Sequence, residues 1–346
     1  MDQIFAVQQR LVPDLIEKMQ RRFNVLSMIH LAQPIGRRAL AERLHQTERI
    51  LRSDVESLKA EHLIDIHPKG MTITSEGLEV LNLLARHMEV YNDLSALATE
   101  ISKLTGISKL IVVKGDADES QETSINLGVE AGRYLHSLLG PDMKVTVTGG
   151  SSTASMASHL AQVPFDVTFT PARGGLGEDM IHQANFIVAK MAESTGGCYE
   201  ALYVPDQVSE QTYQNLIEEP SIRSVLDQIK SADIVVHGIG NAAKMAVRRK
   251  TDSAVQKLLL ENEAVGEAFG YYFDKKGNIV YKVRTIGLQL EDVINKEHII
   301  AVAGGSSKVD AIAAYLKNAP KQTTLITDEA VAKQLLKAFA FDNNIN

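Results

Sequence analysis

The sequence predicts an α/β protein with an N-terminal winged helix-turn-helix, a helical linker and a C-terminal, mainly parallel α/β domain. Three observations lead to this prediction. Residues 24–75 hold three short helical patterns and a small hairpin, and residues 76–104 keep a helical period. After Gly106, apolar strand-like runs alternate with helix-length segments, which is typical of a parallel sheet covered by helices on both faces.

Composition excludes several classes of protein. Of the 346 residues, 45% are hydrophobic and 23% are charged, which are values of a globular protein. No apolar run approaches the roughly 18 residues that span a bilayer, and the first residues lack the order of a signal peptide. The single cysteine, Cys198, can form neither an internal disulfide nor a cysteine metal cage. We therefore expect a cytoplasmic protein with no metal and no membrane partner.

Residues 1–75 are expected to form the first domain. Residues 1–23 have a helical period that Pro13 kinks or splits. Helical stretches follow at 25–32, 37–45 and 48–63, and two extended pieces within 65–74 flank a turn at Pro68-Lys69-Gly70. Three helices and a hairpin of this size form the pattern of a winged helix.

The second helix of a helix-turn-helix enters the major groove, and here the surrounding sequence is basic. Residues 20–60 contain eight basic and four acidic side chains in a chain of net charge −7. Arginine suits guanine, and glutamine suits adenine. We expect Ile50, Leu51, Val55 and Leu58 to point inward. The residues expected to contact DNA are Arg37, Arg38, Gln46, Thr47, Arg49, Arg52, Ser53 and Lys69. The alternative is a protein-interaction winged helix with a solvated basic face.

Residues 76–105 are expected to form a helical linker. Its two apolar stripes are offset by one position, so a coiled coil would rotate or break between them. The linker either packs on its own domain or joins two chains, and a homo-dimer or homo-tetramer is expected.

Residues 106–346 are predicted to form the α/β domain. Strands are expected at 110–115, 144–149, 166–171, 201–205, 233–238, 299–304 and 323–327, with helices at 122–139, 183–195, 252–264 and 307–318. An antiparallel hairpin is expected within 267–283, turning at Lys276-Gly277.

Two segments of this domain share the order strand, Gly-Gly-Ser-Ser, helix. They are 145–157 and 300–312, and Lys308 stands where the first copy has Thr153. Glycines permit a tight turn, and the N–H groups that open a helix attract an anion. We predict two anion cradles at the carboxyl edge of the sheet, and hence a ligand with phosphate at one or both ends.

Further basic residues follow other strands. Arg173 precedes Gly174-Gly175 and suits bidentate phosphate recognition, while Glu178 and Asp179 either pair as acid and base or neutralise the next helix. Gly238-x-Gly240-x-x-Ala243 is formally a dinucleotide fingerprint, although no acidic residue stands on an evident following strand. Arg248 and Arg249 either reach a phosphorylated ligand or carry surface charge.

The strings PIGRR, PARGGLGED, QAN, HGIG, EAFGYYF, AVAGGSSK and LITDEA resemble the SorC-type bacterial transcription regulators over essentially the whole chain. The resemblance implies a repressor of a glycolytic operon that fructose 1,6-bisphosphate releases from operator DNA. It also implies an effector domain related to sugar-phosphate isomerases and deaminases. The implied effector-binding residues are Gly149, Gly150, Ser151, Ser152, Thr153, Arg173, Gln183, Arg248 (or Arg249), Glu267 on a sugar hydroxyl, and Lys308.

The rival prediction is a sugar-phosphate isomerase or deaminase with a regulatory winged-helix head. Glu178, Asp179, Asp328 and Glu329 would then supply its carboxylates. Against it, Asp328 follows a strand as a helix cap would, and no base is visibly paired with a nucleophile. We therefore expect a regulator without catalytic residues or a cofactor.

Overall fold

A computed structural model describes residues 13–44, 46–91, 94–175 and 179–343. The chain divides into two compact units after Ser95. None of the helices in the described residues is long and apolar enough to cross a bilayer.

The first unit contains the predicted winged helix. Its elements are α1 (Pro13–Ala32), α2 (Arg37–Arg43), α3 (Glu48–Ala60), β1 (Ile64–His67), β2 (Gly70–Ile73) and α4 (Ser75–Tyr91). β1 and β2 pair antiparallel, as the hairpin prediction requires. The predicted break between 23 and 25 is wrong, because Val25 and Leu26 continue the buried face of α1 without a helix breaker. The predicted helical residues before Pro13 lie outside the described part.

The core of this unit is apolar, with one buried carboxylate beside it. Leu26 and Ile29 of α1 pack with Leu40 of α2 and Leu51 of α3. Asp54 of α3 is fully buried, and it accepts hydrogen bonds from Arg21 and Arg22 of α1. This ion pair ties the first helix to the third.

The predicted linker, 76–105, contains all of α4 except its first residue, and also α5 (Leu94–Thr105). Residues 92 and 93, where the two apolar stripes meet, lie outside the described residues. Whether these helices join two chains stays a prediction.

The second unit is built on a seven-stranded sheet whose strands are all parallel, in the order β3-β13-β12-β7-β4-β5-β6. The strands are β3 (Lys109–Val113), β4 (Met143–Val147), β5 (Val167–Pro171), β6 (Cys198–Tyr199), β7 (Ile234–Gly238), β12 (His298–Val302) and β13 (Thr323–Asp328). Successive residues of β12 and β13 are buried, so helices cover both faces as predicted.

One predicted strand of this sheet is wrong. The edge strand is Cys198–Tyr199, and the segment 201–205 follows it without pairing as a strand. The Asn185 side chain instead bonds both backbone groups of Leu202. A side-chain amide has therefore taken the place of a sheet neighbour.

The helices of this unit surround the sheet. They are α6 (Gln121–Leu138), α7 (Ser151–Ala157), α8 (Ala184–Thr195), α9 (Glu210–Glu218), α10 (Pro220–Lys230), α11 (Ala242–Arg248), α12 (Ser253–Glu261), α13 (Leu290–Val293), α14 (Val309–Leu316) and α15 (Glu329–Asn343). Short 3-10 turns at Met180–His182 and Ser306–Lys308 precede α8 and α14.

A second sheet of four antiparallel strands completes the unit, in the order β11-β10-β9-β8. Its strands are β8 (Gly240–Asn241), β9 (Ala264–Ala268), β10 (Tyr271–Asp274) and β11 (Ile279–Lys282). The predicted hairpin is present as β10 and β11, and Gly277 in its turn has a φ of +86°. β8 pairs with β9 beside the carboxyl end of β7, which places Glu267 opposite Gly240.

Candidate functional sites

A cavity of about 350 Å³ lies where β4, β5, β7 and β12 end. Open α/β sheets bind ligands at this edge. All ten residues predicted to bind an effector line this one cavity, and so does Arg249. The other lining residues that matter below are Asp206, Lys244, His182, Asn241 and Phe269.

The first Gly-Gly-Ser-Ser loop opens α7 toward the cavity. Gly150, the N-cap, donates its N–H to the His182 carbonyl at 3.0 Å. Thr153 turns its hydroxyl back to the Gly150 carbonyl at 3.0 Å. The first N–H groups of a helix have no acceptor within the helix. This loop therefore offers backbone donors to an anion.

The second Gly-Gly-Ser-Ser loop has the same sequence, but its backbone N–H groups already have acceptors within the chain. The N–H groups of Gly305, Ser306 and Ser307 all donate to carboxylates of this chain. The acceptors are Asp328 at 2.6 Å, Asp116 at 3.1 Å and Asp118 at 2.7 Å, in that order. The prediction of a second cradle for a ligand is thus contradicted. Of this segment, the Lys308 side chain lines the cavity.

Two arginines and two carboxylates form a buried ionic network in the cavity wall. Arg173 donates Nε–H and Nη2–H to the two oxygens of Asp206, both at 2.9 Å. Arg249 donates to Asp206 and also to Glu267, the latter at 2.9 Å. Burial lowers the pKa of Arg249, but Glu267 and Asp206 outweigh burial and raise it. The fork of Arg173 therefore binds Asp206, and the bidentate phosphate contact predicted for Arg173 stays a prediction.

The remaining cations of the cavity are Lys244, Arg248 and Lys308. Among the described lining residues, five basic side chains face two carboxylates, a surplus of three positive charges. The pKa of Lys308 is lowered, mainly by burial and also by the positive charges of Lys244 and Arg248. The carboxylates of Asp118 and Asp328 act in the opposite direction. Arg248 is half-buried at the cavity, whereas Arg249 is sealed in the network. Of the two, Arg248 is thus the one with solvent access at the cavity.

Sequence reasoning missed Asp206 and Lys244. Asp206 stands in an irregular segment after Val204, so no motif marks it. Lys244 follows Asn241, whose side chain caps α11 by accepting the Lys244 N–H at 3.2 Å. An asparagine that can cap a helix three residues before a lysine is a signal in the sequence, because it places that lysine in the first turn of the helix.

The Gly238 fingerprint does not form the turn of a dinucleotide site. Gly240 and Asn241 belong to β8, which pairs with β9 before the helix begins. A Cβ on Gly240 would lie 2.5 Å from Met245, so this glycine permits helix packing.

The carboxylates of the enzymatic rival have structural partners. Asp328 is fully buried, accepts the N–H groups of Ala117 and Gly305, and caps α15 through the Val331 N–H at 2.9 Å. Glu329 pairs with Lys333 at 2.6 Å. Asp179 is exposed and lies 3.7 Å from His182, and Glu178 falls outside the described residues. In the described ranges, no group of His, Cys, Asp and Glu could hold a metal ion.

The winged helix presents the predicted DNA-binding side chains to solvent. Arg38 and Arg52 are exposed, each beside a glutamate four residues on, at 3.9 and 2.9 Å. Also exposed are Arg37, Thr47, Arg49, Ser53 and Lys69, whereas Gln46 is half-buried.

The expectation that Ile50 points inward is wrong. Leu51, Val55 and Leu58 face the core, but Ile50 is 45% exposed. At 3.6 residues per turn, Ile50 lies one step around the helix from Leu51. It therefore adds an apolar side chain to the outer face of α3.

Comparison with known proteins agrees with this geometry. Residues 18–88 match the family described as the CggR N-terminal DNA binding domain, and residues 89–337 match the Sugar-bind family of sugar-binding domains. The chain is 46% identical to the central glycolytic genes regulator of Priestia megaterium, with 98% of this chain and 100% of that one covered. The regulator of the same name from Bacillus subtilis is 44% identical, covering 97% and 99%.

A solved structure gives the same family. A SorC family transcriptional regulator from Enterococcus faecalis is 44% identical and has a TM-score of 0.66, covering 70% of this chain and 99% of that one. The chain thus resembles three transcription regulators and matches a DNA-binding family and a sugar-binding family. These similarities indicate a DNA-binding regulator rather than an enzyme. The chain belongs to the SorC family of bacterial transcription regulators, in the group of the central glycolytic genes regulators.

Proposed function

We propose that this regulator represses glycolytic genes by binding operator DNA through its winged helix, and that a phosphorylated sugar, fructose 1,6-bisphosphate, releases it. We also propose that it acts as a homo-dimer or homo-tetramer, since paired winged helices read two half-sites. The two central glycolytic genes regulators at 44% and 46% identity support the glycolytic target.

The charge distribution of the cavity is the observation that carries the effector proposal. Five basic side chains line the cavity against two carboxylates, and both of these carboxylates, Asp206 and Glu267, belong to the buried network with Arg173 and Arg249. A volume of about 350 Å³ is near the lower bound of roughly 300 Å³ for small-molecule sites. Such a cavity suits a compact and strongly anionic ligand.

The two ends of the cavity suit two phosphates with hydroxyls between them. In the sheet order, β7 separates β12, which leads to Lys308, from β4, which leads to the first glycine loop. One phosphate would meet the three basic side chains, and the other would meet the N–H groups that open α7. Glu267, on β9 beside Gly240, would accept a hydrogen bond from a sugar hydroxyl.

The test is thermal unfolding of the purified chain with fructose 1,6-bisphosphate, fructose 6-phosphate, inorganic phosphate, unphosphorylated fructose and NAD. A ligand at 100 times its Kd adds about 2.7 kcal/mol to the folded state. We expect the largest rise in Tm with the bisphosphate and none with fructose.

A matched pair of lysine variants makes the test specific. Lys308→Met should reduce the rise in Tm without abolishing it, because Lys244 and Arg248 remain in the cavity to attract a phosphate. Lys257→Met should keep the full rise, because Lys257 is exposed on α12, outside the cavity, and pairs with Glu261 at 3.7 Å. A rise with NAD alone, or equal rises for both variants, would contradict the assignment of the cavity.

A further inference from the structure

The second Gly-Gly-Ser-Ser loop is occupied by the chain itself, and Asp118 makes the most exposed of its contacts. Asp118 accepts the Ser307 N–H at 2.7 Å. Gly305 has a φ of +99°, and a Cβ there would lie 2.5 Å from an Asp118 oxygen. Glycine at this position therefore permits a carboxylate to approach where a ligand anion would otherwise bind.

The segment that carries Asp118 is held in place by hydrogen bonds. Asp116 accepts the N–H groups of both Asp118 and Ser306, at 2.9 and 3.1 Å. The Ala117 N–H donates to Asp328 at 3.0 Å, and the Ala117 carbonyl accepts from Ser124 at 3.1 Å. The carboxylate of Asp118 is thus presented to the loop by a fixed turn.

Lys308 joins this loop to the cavity. It directly follows Ser307, and its own N–H donates to the Gly305 carbonyl at 2.9 Å. Its side chain lines the cavity, where the charges of Lys244 and Arg248 repel it and the carboxylates of Asp118 and Asp328 stabilise it. Asp328 is buried and caps α15, so Asp118 is the member of this pair that can change without loss of the fold.

We propose that Asp118 is a positioning residue, an internal counter-charge that holds the Lys308 loop and limits the affinity of the cavity for phosphate. This proposal rests on the proposed function and adds a determinant that lies outside the cavity. Without a ligand, Asp118 offsets the mutual repulsion of Lys244, Arg248 and Lys308. With a phosphate bound, the same carboxylate repels the ligand and weakens binding.

The charge can be removed while the hydrogen bond is kept. In Asp118→Asn, the amide oxygen can still accept the Ser307 N–H. Titration calorimetry with fructose 1,6-bisphosphate should then show binding about 2- to 5-fold tighter than wild type, the range of an exposed ion pair. The gain should shrink as salt rises. Glu119→Gln is the control, since it removes an equal charge from the adjacent exposed residue and should leave the Kd unchanged.

A double-variant cycle separates this effect from a general change in structure. Adding Asp118→Asn to Lys308→Met should give no gain over Lys308→Met alone. Weaker or unchanged binding in Asp118→Asn, an equal gain in Glu119→Gln, or a gain that persists without Lys308 would overturn the proposal. If the wild type binds no phosphorylated sugar, the proposed function fails and this inference fails with it. If the wild type binds and Asp118→Asn shows no gain, only the inference fails.

Discussion

At the scale of single residues, burial decides what a charged side chain of the cavity can do. Arg173 and Asp206 are 8% and 1% exposed, and each satisfies the other with two hydrogen bonds. Burying an ion without its partner costs roughly 3–5 kcal/mol of stability, so each of these two groups stabilises the other in the folded chain. Lys244 is exposed and Arg248 is half-buried, so both side chains can meet a ligand that enters the cavity from solvent.

Asp206→Ala should lower the free energy of unfolding by about 3–5 kcal/mol, because it removes the carboxylate that two buried guanidinium groups share. The measurement is urea unfolding at neutral pH. Glu210→Ala is the matched control, since Glu210 pairs with Arg284 at 2.6 Å but both side chains are about half exposed. The control should cost less than roughly 1 kcal/mol, and equal losses would refute the network.

His237 should make stability depend on pH. It is fully buried, with Tyr315 at 3.0 Å from Nε2 and the Gly238 carbonyl at 3.0 Å from Nδ1. Burial lowers its pKa from 6.5 to about 4, although the Gly238 carbonyl opposes the shift. Between these pH values the unfolded chain binds more protons. The stability present above pH 6.5 should therefore fall by about 3 kcal/mol as pH approaches 4.

The measurement is urea unfolding at steps between pH 4.5 and 7. His237→Gln should flatten the pH dependence, and His298→Gln, at the partly exposed start of β12, should keep it. The same slope in wild type and His237→Gln would rule out this histidine as the cause.

At the scale of elements, α3 has an inner and an outer face with separate tasks. Leu51, Val55 and Leu58 pack in the core, and buried Asp54 holds α1. Arg49, Arg52 and Ile50 are exposed on the outer face. A guanidinium matches guanine, and an apolar side chain matches a thymine methyl group, so this face can distinguish base pairs.

Arg52→Ala should weaken specific operator binding by about 1–3 kcal/mol, or roughly 5- to 150-fold, without changing the Tm shift caused by sugar. Fluorescence anisotropy with operator and random duplexes measures the change. Lys59→Ala, at the exposed end of the same helix, should keep the preference for operator. If Arg52→Ala also removed sugar binding, the change would reflect misfolding.

At the scale of the whole molecule, we expect DNA binding and sugar binding to be linked by a coupling free energy. If the sugar phosphate favours the unbound state of the regulator, operator binding weakens by a coupling of about 1–3 kcal/mol, or 5- to 150-fold. The reciprocal effect also holds, so operator DNA must weaken sugar binding by the same factor.

We expect fructose 1,6-bisphosphate to release operator DNA from the wild type at constant ionic strength, and Lys308→Met to stay bound. Operator affinity should fall steeply with salt, since each neutralised phosphate releases counterions. Anisotropy titrations over a salt series measure both effects. Release from Lys308→Met at the wild-type sugar concentration would show that another site controls the DNA-binding unit.

The sequence by itself determined six of the seven parallel strands, because hydrophobic periodicity is local. The resemblance to the SorC-type regulators supplied the ten residues predicted to bind an effector, and all ten line one cavity. The sequence could not determine which charges would neutralise one another. Two identical Gly-Gly-Ser-Ser loops face different partners, since Asp116 and Asp118 reach the second from a distant turn. Asp206 likewise meets Arg173 only through the fold. Only the tertiary structure decides such pairings, because an ion pair depends on distance in space and not on separation along the chain.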